Sequence, residues 1–257
     1  MSTPLAPPPR RAAPLRARAG VAACLLAAPA QIACGDNRYR NPPYYAWDDT
    51  TVLGAFNIDQ MAGDDPALLD AVDSVRGSDE VVLFYGHDPP NLTRYDAIDG
   101  LLTRAEQDGL AILTFADLAA GGPPRAGLCL SFDDTEVDAW YALRDLLARH
   151  RAHVTFFVAA YAGFSAEQRA ELHALYAEGN SIEAHSVHHL DAVAYIAEHG
   201  LAAYLDDEVQ PSIDILRADR FAPVAYAHPF GSHTRELDEA LAGRIRFARS
   251  ISGKPKP

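Results

Sequence analysis

Four short stretches carry the residue types that hydrolytic or metal chemistry needs. The first is Leu130-Ser131-Phe132-Asp133-Asp134-Thr135, two adjacent carboxylates closing an apolar run. Consecutive side chains leaving a strand diverge, so one carboxylate can hold a cation while its neighbour handles a proton. The same pair would serve as N-caps of a following helix, the commoner use of aspartate in that place. The second is Ala184-His185-Ser186-Val187-His188-His189, three imidazoles in five residues of a chain with 10 histidines. His185 and His189 are four apart, so a helical turn puts both rings on one face, a spacing suited to a shared metal. One added carboxylate makes a two-His, one-carboxylate set with positions left for water and substrate. A solvated His-rich loop would read the same way. The third is Ala227-His228-Pro229-Phe230-Gly231, where Pro and Gly enforce a turn whose backbone N–H groups can face a crevice. The fourth is Tyr85-Gly86-His87-Asp88, a histidine ending an apolar run.

Each stretch ends a segment that reads as a buried strand. Apolar runs predict strands over 51–58, 80–85, 111–115, 127–132 and 153–158, with weaker signals over 181–184, 222–227 and 245–250. Amphipathic spacing predicts helices over 66–75, 95–107, 137–150, 166–178, 190–216 (interrupted near Gly200) and 235–242. Ser165 with Gln168 makes a capping box, and Thr234 caps the last helix. Strand–helix alternation at this length predicts one parallel α/β domain, a barrel or a doubly wound sheet. In either, the carboxyl ends of the strands open into the ligand crevice, which is where all four stretches fall.

The chain has 257 residues, 49% hydrophobic and 22% charged, the composition of a globular protein. Its net charge is −13, yet Arg10, Arg11, Arg16 and Arg18 precede the first acidic residue, Asp36, so the rest is more acidic still. Such a surface repels phosphate backbones and excludes nucleic acid as a partner; a neutral or cationic ligand is compatible with it. The basic start and the apolar run over 21–33 read as a secretory signal occupying residues 1–34, too short to span a bilayer. Cys34 stands where a bacterial lipoprotein signal places its lipidated cysteine, with simple cleavage near Ala33 the alternative. The expectation is export to the cell envelope, a lipid anchor at Cys34, a tether over 35–50 and a catalytic domain over 51–257. Cys129 lies inside an apolar run and reads as a small buried hydrophobe; without a CxxC pair, a cysteine zinc site is excluded.

Ser131–Thr135 (SFDDT), His185–His189 (HSVHH) and the HPFG turn, in that order, resemble the motifs of polysaccharide deacetylases with the NodB-homology domain, carbohydrate esterase family four. The resemblance covers residues 127–251 directly. Upstream, VVLFYGHDPP, a helix and GLAILTFADL are similar to the end of the same domain. Here that end precedes the first motif, so the domain resembles a circularly permuted form, as in envelope poly-N-acetylglucosamine deacetylases. The resemblance implies a distorted parallel (β/α) barrel of about seven strands. It implies that Asp134, His185 and His189 hold a divalent metal, most simply Zn2+. It makes Asp133 the general base, His87 the general acid and the backbone N–H of Phe230 an oxyanion donor. The substrate class it implies is an N-acetylated or O-acetylated polysaccharide or oligosaccharide. Four positions depart from the pattern or lack a firm place in it. Thr135 replaces the usual glycine, and Ala227 replaces the arginine that orients the base. Asp59 matches a fourth-motif acid only weakly, and His228 has no family role. Two other functions fit the residues: a catalytically inactive carbohydrate-binding lipoprotein on the same fold, or a metal-dependent C–N hydrolase acting on a small amide.

Overall fold

The computed structural model describes residues 37–255. Along them run β1 (Tyr44–Tyr45), β2 (Val52–Asn57), α1 (Pro66–Asp73), β3 (Val81–Gly86), α2 (Tyr95–Gln107), β4 (Ala111–Leu113) and α3 (Phe115–Ala120). Then come β5 (Gly127–Asp134), α4 (Val137–Ala142), α5 (Arg144–His150), β6 (Thr155–Val158), α6 (Ala166–Ala177) and β7 (Ser181–Ala184). The last elements are α7 (Ala192–His199), α8 (Leu201–Tyr204), a π turn (Leu205–Val209), α9 (Gln210–Ala218), β8 (Ala225–Ala227), α10 (Arg235–Leu241) and β9 (Phe247–Ile251). The signal, Cys34 and the start of the tether lie outside the described residues.

Seven parallel strands close a ring in the order β3-β2-β9-β8-β7-β6-β5, with β5 returning to β3. Closure excludes the doubly wound alternative and gives the expected barrel. It is uneven: β3 and β5 share six register pairs, whereas β2 and β3 share two and β7 and β8 only Ala184↔Tyr226. Among the described residues, no helix is long and apolar enough to cross a membrane.

Strand period fixes which side chains enter the ring. Inward positions carry odd numbers in every barrel strand: Leu53 and Ala55, Val81 and Leu83, Cys129, Phe157, Ala225 and Ala227, and Phe247 form the inner apolar cluster. Even positions (Val52, Val82, Leu128, Leu130, Phe156, Ile182, Tyr226 and Ala248) join the helices in the outer cluster. Phe115 of α3 packs edge-on against Phe157 and Phe247, and Leu118 joins the same cluster, so α3 stops the amino-terminal end of the barrel. With that end filled, only the carboxyl end is left for polar chemistry.

Several expectations need correction. The strand expected over 111–115 stops at Leu113, because Thr114 and Asp117 form a capping box that starts α3. The helix expected over 137–150 divides at Leu143. The helix over 190–216 breaks at Gly200 as expected, at φ 88°, but also contains a π turn that no sequence signal marks. Residues 37–50 are no free tether: β1 pairs antiparallel with β3, Tyr45 is buried in the inner cluster, and Trp47 Nε1 donates to the Arg125 carbonyl at 3.0 Å. Finally, β5 extends two residues beyond the expected 127–132, so Asp133 and Asp134 belong to the strand. The N-cap of α4 is Glu136, and neither aspartate caps that helix.

Candidate active site

The six residues singled out by sequence (His87, Asp133, Asp134, His185, His189 and Phe230) all line one cavity of about 300 Å³ at the carboxyl end of the barrel. A groove of about 510 Å³ between α1 and α2 is larger, but it holds no imidazole and no buried titratable group.

Odd parity aims Asp133 and His185 inward directly. Asp134 is even-numbered, and it reaches the same side because β5 ends there in a left-handed turn, φ 88°. His189 (φ 55°) and Ser186 (φ 68°) are also left-handed, a conformation that costs a non-glycine residue about 1–2 kcal/mol. The three ligating atoms then converge. Asp134 Oδ1 lies 3.4 Å from His185 Nε2 and 3.2 Å from His189 Nε2, and the two imidazole nitrogens are 3.2 Å apart. Ligands held about 2.0–2.1 Å from a tetrahedral Zn2+ are themselves about 3.3–3.4 Å apart, so the set fits a metal of that size. His185 Nδ1 is 2.9 Å from the Ala227 carbonyl, which takes the ring's proton on that side and leaves the Nε2 lone pair for the metal. Burial pushes the Asp134 carboxyl up, but its contacts with the His185 and His189 rings, which in the metal-free site carry the shared protons, and the charges of His185 and His87 hold it far below the usual range. It is therefore ionised, as a ligand must be.

Asp133 is 3% exposed, and its Oδ2 accepts a hydrogen bond from Arg249 Nη2. The Oδ1 atom is buried with no protein partner, on a residue that lines the cavity. Arg249 is fully buried, its guanidinium 4.8 Å from the Tyr85 ring and 5.1 Å from that of Phe157. Sequence reasoning missed this residue. The signal was present: of the two arginines in the apolar run over 245–250, Arg246 and Arg249, only Arg249 falls at the inward-facing parity.

Across the cavity, His87 Nδ1 meets Asp59 Oδ2 at 2.5 Å. Asp59 also accepts from the His87 backbone N–H (3.1 Å), Thr93 Oγ1 (2.6 Å) and Asn57 Nδ2 (3.0 Å). Burial raises the Asp59 pKa, and these bonds with the His87 charge outweigh it, bringing it down to about 2. Burial lowers the His87 pKa, but the Asp59 bond and the charges of Asp133, Asp59 and Asp134 leave it raised. Gly86 makes the arrangement possible, since a Cβ there would overlap Thr93 Oγ1. Asp59, whose sequence context gave only a weak match to a fourth-motif acid, is the carboxylate that the His87 ring meets.

The remaining departures also find places. Thr135 lies outside the cavity lining, tied to Glu136 by its N–H and hydroxyl. His228 is buried in the cavity wall. Desolvation, only partly offset by Asp238, pushes its pKa down to about 4, so the ring is neutral near pH 7. Asp238 Oδ1 takes His228 Nε2 (3.0 Å) and Oδ2 takes His233 Nδ1 (2.8 Å). These three side chains form a second group with ligating atoms close together. Each carboxylate oxygen serves its own imidazole at hydrogen-bond distance, which makes the group a hydrogen-bonded clasp between the HPFG turn and α10. Phe230 is left-handed at φ 58°, and its ring, 62% exposed, stands edge-on to His189 at 4.6 Å.

The sequence model of the polysaccharide deacetylase family matches residues 120–243. That match contains the two aspartates, the histidine pair and the HPFG turn, while His87, Asp59 and Arg249 fall outside it. Among solved structures, IcaB from Ammonifex degensii is similar with a TM-score of 0.55 at 16% identity, over 69% of this chain and 86% of that one. PplD from Streptococcus pyogenes, a deacetylase in complex with acetate, gives 0.47 at 21% identity, over 59% and 69% of the two chains. The BpsB deacetylase domain from Bordetella bronchiseptica gives 0.45 at 17%, over 60% and 83%. At these identities the likeness is one of fold, and it rests on the first. No curated protein sequence matches the chain.

Proposed function

We propose that this protein is a metal-dependent deacetylase, a hydrolase that removes acetyl groups from an N-acetylated or O-acetylated polysaccharide at the bacterial cell envelope. The observation that carries the reading is the convergence of Asp134, His185 and His189 on one point, in a cavity that also holds a carboxylate and a carboxylate-oriented imidazole. Envelope location and lipid anchoring at Cys34 rest on the pattern of residues 1–34 alone.

Asp134, His185 and His189 would hold a divalent cation, which would supply a Lewis acid able to polarise the acetyl carbonyl and make water more acidic. Asp133 accepts the proton of the attacking water at Oδ1, because Arg249 occupies Oδ2 and fixes the carboxylate's direction. The Phe230 N–H donates to the oxygen that gains charge. His87 holds its proton through the bond to Asp59 and delivers it from Nε2 to the departing amine, without which the C–N bond does not break. His228, neutral and clasped by Asp238, keeps the Phe230 turn in place and takes no proton in this scheme. Neither the base nor any of the three ligands is missing, and that favours the enzyme over an inactive carbohydrate-binding homologue.

The test is acetate release from chitin oligomers and poly-N-acetylglucosamine by zinc-loaded protein, with Asp133→Asn and His185→Ala as controls. The expected result is release that a chelator abolishes and either substitution reduces by at least about a hundredfold. Zinc-loaded protein that frees no acetate from any acetylated glycan would overturn the reading.

A further inference from the structure

The loop carrying the histidines departs from the barrel under strain. Ser186 and His189 are both left-handed, two non-glycine residues within four positions that a chain does not adopt unaided. The backbone N–H groups between them find no strand to pair with. Val187 N–H and His188 N–H instead converge on one oxygen, Glu208 Oε2, at 3.1 and 2.8 Å. The other oxygen, Oε1, meets His188 Nδ1 at 2.6 Å, and Ser186 Oγ accepts the His189 N–H at 2.9 Å. Glu208 is 1% exposed, whereas the His188 side chain it grips is 67% exposed. Glu208 stands in the π turn Leu205–Val209, where the extra residue per turn shifts the helix register. A buried carboxylate and a π turn are each unfavourable alone, and here both serve the same loop.

We propose that Glu208 is the positioning residue of the metal-ligand loop, its carboxylate locking the turn over 185–189 so that both imidazoles face Asp134. The proposal rests on the metal reading above and adds to it a residue that touches neither metal nor substrate. Support of this kind behind a ligand changes metal affinity by about 10–100-fold when removed.

The experiment is cobalt(II) titration of the purified protein, followed by the visible absorption of the bound ion and by zinc competition. Amide hydrogen exchange of Val187 and His188 is measured on the same metal-free samples. Glu208→Ala is expected to weaken cobalt binding about 10–100-fold and to expose both amides. Glu208→Gln, whose amide oxygen still accepts both N–H groups, is expected to stay within about threefold of wild type, as is His188→Ala. Folded Glu208→Ala with wild-type affinity and protected amides overturns the proposal. Should that variant not fold, Glu208→Gln decides: near-wild-type affinity upholds the positioning role, and a loss as large as that expected for alanine overturns it. Wild-type protein that takes up no cobalt overturns the metal reading and this proposal with it. Normal uptake by wild type and an indifferent Glu208→Ala overturns this proposal alone.

Discussion

Asp59→Asn keeps the size of the side chain behind His87 and removes its charge, so it separates orienting the imidazole from keeping it protonated. Asparagine Oδ1 can still accept from the His87 N–H and Thr93, which preserves the loop. What disappears is the bond between Asp59 Oδ2 and His87 Nδ1, together with the negative charge that helps raise the His87 pKa against its burial. A hydrogen bond between charged groups contributes about 1.5–3 kcal/mol. At about 1.36 kcal/mol per tenfold, its loss cuts the protonated fraction of His87 by about 10–100-fold at any pH above the group's titration. Below that pH the ring is protonated in both proteins, and the substitution has little to remove.

The basic limb of kcat/KM therefore moves to lower pH in Asp59→Asn. Acetate release measured from about pH 5 to pH 9 should show a deficit of about 10–100-fold at the alkaline end and within about threefold at the acid end. A deficit of equal size across the range refutes the reasoning, because Asp59 would then act through geometry alone. An unchanged profile refutes His87 as the proton donor. Stability supplies an independent check with its own sign. The Asp59 pKa is held at about 2 against an ordinary 3.8, so the pair's contribution is present above about pH 4 and disappears as pH falls through about 2. The shift corresponds to about 2 kcal/mol. His87, raised above 6.5, contributes stability that is complete below that pH and is lost as pH rises through its folded pKa. The two statements describe one interaction, and urea unfolding of Asp59→Asn should lack both slopes.

Arg249→Met strands the buried Asp133 charge and should cost about 3–5 kcal/mol in urea denaturation, with part regained when Asp133→Asn is added. Gly86→Ala drives a methyl onto Thr93 Oγ1 and so displaces two bonds behind His87; kcat should fall about tenfold or more, and adding Thr93→Ala should relieve the stability loss but not the kcat. Phe230→Ala, at a ring 62% exposed, should change stability by less than about 0.5 kcal/mol and raise KM while leaving kcat within about threefold, since its backbone N–H remains. A large fall in kcat there would assign the ring, not the turn, to the reaction.

Much of this site was legible because it lies where period-2 runs end. The strands over 51–58, 80–85 and 127–132 were visible as apolar runs, and their carboxyl ends place His87 and Asp133 without further information. What the sequence concealed were interactions between residues far apart in the chain. Asp59 and His87 are 28 positions apart, and Glu208 and His188 are 20 apart. No local pattern records a carboxylate aimed at a distant imidazole. The π turn was hidden for a related reason: nothing in its sequence LDDEV marks it locally, and its Glu208 reaches a loop 20 positions away. The tether over 35–50 was misread because its polar, Pro-rich composition outweighed Tyr45 and Trp47, whose burial depends on β3 and Arg125.

The missing arginine of the third motif shows how such a site tolerates rearrangement. In the proposed mechanism, orienting the base requires a cation beside Asp133; it does not require that the cation come from a given strand. β8 and β9 are neighbours, and Ala227 is in register with Arg249. Both positions face inward by parity, so an arginine on either strand reaches the same volume, and two at once would overfill it with like charge. A methyl at 227 leaves that volume to the Arg249 guanidinium, which Tyr85 and Phe157 then sandwich against Asp133. Read along the chain, the motif has lost a residue. Around the barrel, the guanidinium beside Asp133 comes from the neighbouring strand, and the small side chain of Ala227 is compatible with it.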